Sequence, residues 1–164
     1  MIYGEMTMEE KIGLNIRYAR FKSGVSQTEL AKKLGVCTGV IFKLEHGVKL
    51  LGFNKSIRCC EILGVHLDDI VYGNGYEKVL LLQRIVKRCR ENEEYHKYVC
   101  DALRQARIKK NLTLQSVADL HGVSKQAIDA LELGKSGISN KWLYLLCRLY
   151  DLSPEALEEG ELSL

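Results

Sequence analysis

The chain has 164 residues, a formal net charge of +3, 46% hydrophobic and 27% charged residues, and a single proline. This length fits one domain or two very small ones, and the composition excludes a disordered or collagen-like chain. The longest uncharged apolar run, Trp142 to Cys147, is far shorter than the ~18–20 residues of a membrane span, and no secretion signal is recognisable. We expect a cytoplasmic protein with no membrane partner.

Residues 8–73, the first module, have the pattern of five helices. Two capping boxes, Thr7-x-x-Glu10 and Ser26-x-x-Glu29, open the first and second helices. Gly35 ends the second helix because glycine readily adopts the positive φ of a C-terminal cap. The third helix is expected between Cys37 and Gly47. The last three helices are marked by apolar residues at helical spacing: Ile41 and Leu44, then Ile57, Cys60 and Leu63, then Leu67 and Ile70.

Residues 74–94 are predicted to form a helical linker. Apolar residues recur along it at helical spacing: Tyr76, Val79, Leu80, Leu82, Ile85, Val86 and Cys89. A helix over residues 76–91 would be about 24 Å long. Its apolar stripe must be buried, either by packing the two modules together or by self-association into a homodimer. The sequence leaves both arrangements open.

Residues 95–160, the second module, repeat the first at an offset of 87. Ile12–Gly73 aligns with Val99–Gly160 without a gap, and thirteen of the 62 aligned positions are identical. Because the matches include glycines and charged residues in register, they are not a chance likeness between apolar helices. The second copy has its own helix caps: Thr113, Ser124 and Ser153, the last followed by Pro154. No segment alternates as a strand would, so we expect an all-α protein.

Two helices joined by a Gly-Val turn form a helix-turn-helix. The segments SQTELAKKLGV…IFKLEHG and LTLQSVADLHGV…IDALELG resemble the Cro/repressor-type (XRE-like) helix-turn-helix family, and the likeness covers both repeats, about three quarters of the chain. The resemblance implies two tandem five-helix lambda-repressor-like domains joined by a helical linker. It also implies double-stranded DNA as the partner, with the third helix of each module in the major groove.

The resemblance also assigns candidate DNA-binding residues. In the first module they are the reading positions Thr38, Gly39 and Lys43, with Gln27 and Lys49 on phosphates. In the second module they are Ser124 at the helix cap, Lys125 and Gln126 at reading positions, and Lys135 in the following loop. A lysine can donate to guanine and a glutamine can pair with adenine through two hydrogen bonds.

Both modules depart from the pattern of the family. Gly39 and Thr38 are short where a reading residue is usually long and polar, and Phe42 takes an outward position that is normally polar. In the second module, three residues depart from the pattern: Leu114 replaces the phosphate-binding glutamine, Ala130 cannot bond a base, and Asp129 places a carboxylate near phosphates. We therefore expect the second module to lead in base reading and the first to lead in backbone contacts. The net charges, +3 over residues 9–73 and +1 over residues 95–160, agree with this order.

Two arginines that could be taken for DNA contacts have a structural interpretation. Arg20 lies 25 residues before Glu45, and Arg107 lies 25 residues before Glu132. The resemblance implies an internal ion pair between the first and third helices of each module. We therefore expect that loss of either partner destabilises the module.

The remaining reactive residues indicate neither an enzyme nor a metal site. The six cysteines include no C-x-x-C pair and the histidines have no ligand spacing with them, so we expect reduced thiols and no cofactor. Cys59, Cys60 and Cys147 are expected in the core. Cys37 is either a plain helix cap or a redox switch, since a helix N-terminus lowers the pKa of a thiol. Two acidic pairs, Asp68-Asp69 and Glu158-Glu159, are interpreted as solvated charges.

These patterns predict a sequence-specific double-stranded DNA-binding transcriptional regulator, and we expect a repressor. Two recognition helices about 34 Å apart, within one chain or in a homodimer, would suit paired half-sites. The alternative is a protein–protein interaction module that uses a degenerate helix-turn-helix fold, which Phe42, Gly39 and Leu133 favour. RNA binding ranks lower because the sequence offers no exposed aromatic stacking motif.

Overall fold

The computed structural model describes residues 5–160, which form eleven α-helices and no strand. The helices are α1 (Met8–Ser23), α2 (Gln27–Leu34), α3 (Thr38–Glu45), α4 (Phe53–Leu63), α5 (Leu67–Val71), α6 (Gly75–Glu91), α7 (Glu93–Lys109), α8 (Leu114–His121), α9 (Lys125–Glu132), α10 (Asn140–Tyr150) and α11 (Pro154–Glu159). The chain divides into two compact units between Leu80 and Leu81, inside α6. The prediction of an all-α fold is confirmed.

The helix starts follow the local sequence signals. Both capping boxes of the first module are formed: Thr7 Oγ1 accepts from the Glu10 N–H at 3.2 Å, and Ser26 Oγ accepts from the Glu29 N–H at 3.1 Å. The third helix begins one residue later than predicted, since Cys37 is its N-cap and makes no capping bond with its side chain. The caps predicted for the second module at Thr113, Ser124 and Ser153 are confirmed.

The turn between the second and third helices is the same in both modules. Gly35 and Gly122 end α2 and α8 with φ of 65° and 63°, a left-handed conformation that strains other residues. The next residue closes the turn in each copy: the Val36 N–H donates to the Ala31 carbonyl and the Val123 N–H to the Ala118 carbonyl, both at 3.0 Å. The chain direction into the third helix is therefore fixed by backbone geometry.

Each module packs its helices around an apolar core built from equivalent positions. In the first module the core residues include Ile16, Leu30, Ala31, Ile41, Leu44, Cys59, Cys60 and Ile70. The residues 87 positions later are also buried: Leu103, Val117, Ala118, Ile128, Leu131, Leu146, Cys147 and Leu157. The repeat found in the sequence is therefore a repeat of the core, and the cysteines expected in the core lie there.

The start of α6 is held to the first module by one buried amide that the sequence analysis did not identify. Asn15 Nδ2 donates to the carbonyls of Ile70 at 2.9 Å and Gly73 at 3.0 Å, while its Oδ1 accepts from the Tyr76 N–H at 2.7 Å. This side chain is only 3% exposed. The residue at the equivalent position of the second module is Ala102, which has no amide and cannot make these three hydrogen bonds.

The second half of α6 is bound to the end of α11. Arg84 Nε donates to Glu158 Oε1 at 2.6 Å, and Arg88 Nη1 donates to the Glu158 carbonyl at 3.1 Å. The hydrogen bond from Arg84 holds the pKa of Glu158 below its usual range. The interpretation of Glu158 as a solvated charge is therefore wrong, because an arginine 74 residues away in sequence reaches it. Asp69 is also engaged, since it accepts from the His66 N–H at 3.0 Å.

The apolar stripe predicted along residues 76–91 is real. Val79, Leu82 and Ile85 are at most 1% exposed in the single chain. Near the end of α6, the Arg88 guanidinium lies 3.9 Å from the centre of the Tyr95 ring. The Tyr95 hydroxyl donates to the Leu157 carbonyl at 3.0 Å. The helix predicted over residues 76–91 is confirmed, and it extends from Gly75 to Glu91.

Candidate nucleic-acid interface

The outward face of α3 carries the three reading positions predicted in the first module. Thr38, Gly39 and Lys43 are exposed, and Phe42 is exposed beside them. The opposite face is buried and consists of Ile41, Leu44 and Glu45. Because residues four apart are neighbours on a helix, Thr38 lies beside Phe42 and Gly39 beside Lys43. The four residues therefore form one surface patch.

The equivalent face of α9 is more polar. Lys125 and Gln126 occupy the first two positions of the helix and are exposed, as is Lys135 in the loop that follows. Ser124 is the N-cap: its Oγ accepts from the Ala127 N–H at 3.2 Å, so its hydroxyl hydrogen remains able to donate. Asp129 is half-buried at the position equivalent to Phe42.

The two residues predicted to hold phosphate in the first module lie in different settings. Lys49 is exposed in the loop after α3. Gln27 is the first residue of α2 and is half-buried, with its Nε2 donating to Glu45 Oε2 at 2.8 Å. Part of the amide of Gln27 is therefore engaged inside the module, and its carbonyl oxygen and second N–H are left for other contacts.

Beneath both third helices lies the ion pair that the sequence analysis predicted. Arg20 Nε donates to Glu45 Oε1 at 2.6 Å, and Nη2 donates to Oε2 at 3.1 Å. Arg107 Nε donates to both carboxylate oxygens of Glu132 at 2.9 Å. Both glutamates are buried, at 0% and 2% exposure. The prediction that these arginines are structural is confirmed.

The remaining donors to the two glutamates differ, and the sequence analysis missed them. Glu45 also accepts from Arg17 Nε at 3.1 Å and from Gln27. Glu132 instead accepts from the Tyr150 hydroxyl at 2.9 Å. Comparison of the two repeats could have revealed this difference. The second module has Leu114 in place of the donor Gln27, and it has the new donor Tyr150 in place of Leu63.

These donors decide the charge of Glu45. Burial raises the pKa of its carboxyl, but hydrogen bonds and charge from Arg20, with contributions from Gln27 and Arg17, outweigh burial and hold the pKa below its usual range. In the second module, burial and the neighbouring Glu132 raise the pKa of Tyr150, so its hydroxyl remains a donor at neutral pH.

A pH prediction follows from the lowered pKa of Glu45. A carboxyl whose pKa is lower in the folded than in the unfolded state contributes stability above the unfolded value, and loses it as pH falls through the folded value. In urea unfolding, we expect the wild-type chain to exceed Glu45→Gln in stability most at neutral pH, with the difference shrinking below about pH 4.5, the unfolded value. Glu61→Gln, at an exposed glutamate of α4, is the control and should track wild type at every pH. A wild-type advantage over Glu45→Gln that is independent of pH would contradict the assignment.

The cysteines fall into two groups. Burial raises the pKa of the thiols of Cys59 and Cys147 to about 12 and that of Cys89 to about 11, so these groups stay protonated at neutral pH. Cys37 is exposed at the start of α3. Its position as the helix cap agrees with one of the two interpretations of this residue, and the redox interpretation stays a prediction.

Among residues 5–160, no helix combines the length and apolarity that crossing a bilayer requires.

Comparison with known protein families gives two matches. The helix-turn-helix family covers residues 16–70 and residues 103–157. The second match begins 87 residues after the first, which is the offset of the internal repeat. Curated proteins and solved structures gave no match. The chain belongs to the XRE-type helix-turn-helix family of DNA-binding regulators and carries two tandem copies of its domain.

Proposed function

We propose that the protein is a sequence-specific transcriptional repressor that reads double-stranded DNA with α3 and α9 in the major groove. The observation that carries the proposal is the exposed pair Lys125 and Gln126 at the start of α9. A lysine and a glutamine at the entering end of a recognition helix are suited to guanine and adenine edges. The carboxylate beneath that helix is already neutralised by Arg107, so it does not repel the duplex.

Helix geometry supports the same proposal. An eight-residue helix is about 12 Å long, close to the ~12 Å width of the major groove. Neither α3 nor α9 has an acidic residue in its first turn, so the partial positive charge of each N-terminus is uncompensated and favours phosphate.

The two modules have different roles in this proposal. The second module supplies most base contacts, through Lys125 and Gln126 with Ser124 at the cap. The first module supplies most of the backbone contacts, through Gln27, Lys43 and Lys49, with Thr38 and Gly39 at its reading positions. Lys135 adds a phosphate contact in the second module.

We take the domains as residues 8–73 and 95–160, with residues 74–94 as the helical linker. One chain then covers an asymmetric site, and a homodimer would extend the site to further half-sites. A DNA-binding repressor must be in the same compartment as its DNA, and the compartment that we propose is the cytoplasm.

The function is tested by selecting bound duplexes from a random pool and measuring their affinity at 50 and 200 mM salt. Neutralising phosphates releases counterions, so affinity should fall steeply between the two concentrations. An enriched sequence motif with this salt dependence supports the proposal. Equal affinity for all duplexes contradicts sequence-specific reading, and no binding of any duplex contradicts the function itself.

Single substitutions should separate reading from anchoring. We expect Lys125→Ala and Gln126→Ala each to remove about 1–3 kcal/mol of discrimination at particular base pairs. Lys49→Ala should weaken all sequences alike and lower the slope of log affinity against log salt by about 1. Titrating each variant against the selected duplex and its single-base variants measures both effects. A base-specific loss in Lys49→Ala would contradict the assignment of Lys49 to phosphate.

A second candidate function is docking to another protein through the first module. The residues that favour it are Val48, Leu50 and Phe53, which are 70%, 42% and 72% exposed after α3, whereas the second module has Lys135, Gly137 and Asn140 at these positions. Replacing Val48 by threonine, and Leu50 and Phe53 by their second-module counterparts glycine and asparagine, distinguishes the functions, because these changes add no charge beside α3. Repression in cells that is lost while affinity for the selected duplex is unchanged would favour protein docking.

A further inference from the structure

Phe42 is an aromatic side chain left in water on the face that the proposed function directs at DNA. Phe42 is 52% exposed and lies one residue before Lys43 on α3. Burying a phenylalanine fully contributes about 1.5–3 kcal/mol, and the half-exposed Phe42 forgoes part of this in the free protein. The counterpart of Phe42 in the second module is Asp129, so the apolar residue is not a requirement of the fold.

The ring of Phe42 is held in place by its neighbours. It lies on the imidazole of His46, with ring centroids 4.0 Å apart and planes inclined by 32°. His46 is itself fixed, because its Nδ1 lies 2.7 Å from the Phe42 carbonyl oxygen and its Nε2 lies 3.2 Å from Arg17 Nη2. Since the ring is already ordered, contact with a ligand costs little further side-chain entropy.

Apart from His46 and Lys43, the neighbours of Phe42 on the outward face are small. Thr38 precedes it by one turn and carries a methyl group, and Gly39 carries no side chain. A Cβ built at Gly39 would meet only Cys37 Sγ, at 3.9 Å, so this part of the surface is open. Lys43 is the only long polar side chain among the four residues of the patch. The first module therefore offers apolar contact where the second offers Lys125 and Gln126.

Thymine is the base that this surface fits. In the major groove thymine alone presents a methyl group, and threonine methyl and phenylalanine are among the side chains that contact it. We infer that the first module selects thymine through contact of the Phe42 ring, with the Thr38 methyl beside it, on the C5-methyl group. This inference rests on the proposed function and adds to it the base class that the first half of the site contains. Asp129 makes the same contact impossible in the second module.

The test removes the methyl group and nothing else. Each thymine of the selected duplex is replaced singly by deoxyuridine, and the affinity of the full chain for each duplex is measured by fluorescence anisotropy. We expect at least one replacement to weaken binding about fourfold, the equilibrium equivalent of the ~0.8 kcal/mol that burying one methyl contributes. In Phe42→Ala the same replacement should have a much smaller effect, because only the Thr38 methyl remains beside the thymine, whereas Phe42→Leu should retain more of it.

Controls separate this inference from the proposed function. Because Phe42 is half exposed, Phe42→Ala should unfold at the wild-type temperature, and Gln126→Ala should keep the deoxyuridine effect in full. If the duplex binds tightly but no deoxyuridine effect depends on Phe42, the inference fails and the proposed function stands. Repression in cells that is lost in Phe42→Ala while affinity for the duplex is unchanged would then assign Phe42 to a protein-docking surface. If no duplex binds in a salt-dependent way, both fail together.

Discussion

Arg107→Ala is expected to destabilise the second module by about 3–5 kcal/mol, the cost of leaving one partner of a buried ion pair uncompensated. After the change, Glu132 keeps one side-chain donor among the described residues, the Tyr150 hydroxyl at 2.9 Å, which is uncharged. The sole tryptophan, Trp142, lies on α10 of the same module, so its fluorescence during urea unfolding follows this effect. Arg104→Ala, at an exposed arginine one turn earlier on α7, should stay within about 0.5 kcal/mol of wild type.

The first module should tolerate the equivalent change better. In Arg20→Ala the carboxylate of Glu45 keeps two side-chain donors, Arg17 Nε at 3.1 Å and Gln27 Nε2 at 2.8 Å. One of these is charged, so the buried carboxylate remains paired. We therefore expect a smaller loss than for Arg107→Ala, measured by circular dichroism of the whole chain. Equal losses for the two arginines would show that the additional donors around Glu45 contribute nothing.

This asymmetry shows where sequence reasoning ends. Helix starts, the Gly35 and Gly122 turns and the repeated core were predictable because each depends on residues a few positions apart. The pairing of Arg20 with Glu45 was also predictable, though only because the resemblance to a known family implied it. Nothing local marks Tyr150 as a donor to Glu132.

The long-range contacts of single polar side chains were the part that the sequence could not supply. Asn15 lies between the apolar residues Leu14 and Ile16 on α1, and its partner Tyr76 lies 61 residues away. Glu158 looked solvated because its partner Arg84 precedes it by 74 residues. Such contacts depend on how the helices pack against one another. Helical periodicity predicts which face of a helix is buried but not which helix covers it.

The candidate interface divides in the same way. Exposure of the reading positions followed from the 3.6-residue period, because Ile41 and Leu44 on α3 had to face the core. The engagement of Gln27 by Glu45 did not follow, since it needs the start of α2 to lie beside the end of α3. The base that each outward side chain contacts depends on the duplex as well as on the protein. The substitutions proposed above are therefore needed to identify it.

A close approach of two helices in the first module supplies the second large prediction. Gly13 on α1 faces the backbone of α3: a Cβ placed there would overlap the Leu44 carbonyl oxygen and lie 3.0 Å from the Glu45 carbonyl carbon. The atoms in the way are backbone, which cannot rotate aside as a side chain can. Overpacking of this kind costs about 1–3 kcal/mol, occasionally more. Alanine gains only about 0.5–1 kcal/mol over glycine within a helix. We therefore expect Gly13→Ala to lower the unfolding free energy by about 2 kcal/mol, measured by urea unfolding.

Gly39→Ala is the matched control, because it makes the same chemical change in a helix with open space. Its new Cβ would meet only Cys37 Sγ at 3.9 Å, so the gain in helix propensity should appear uncompensated as added stability. Stabilisation by both substitutions would contradict the close approach at Gly13. The repeat gives an independent reason to expect opposite signs. The counterpart of Gly13 is Cys100, a buried side chain packed against Gly134, so the crossing of α7 and α9 accommodates a side chain that the crossing of α1 and α3 excludes.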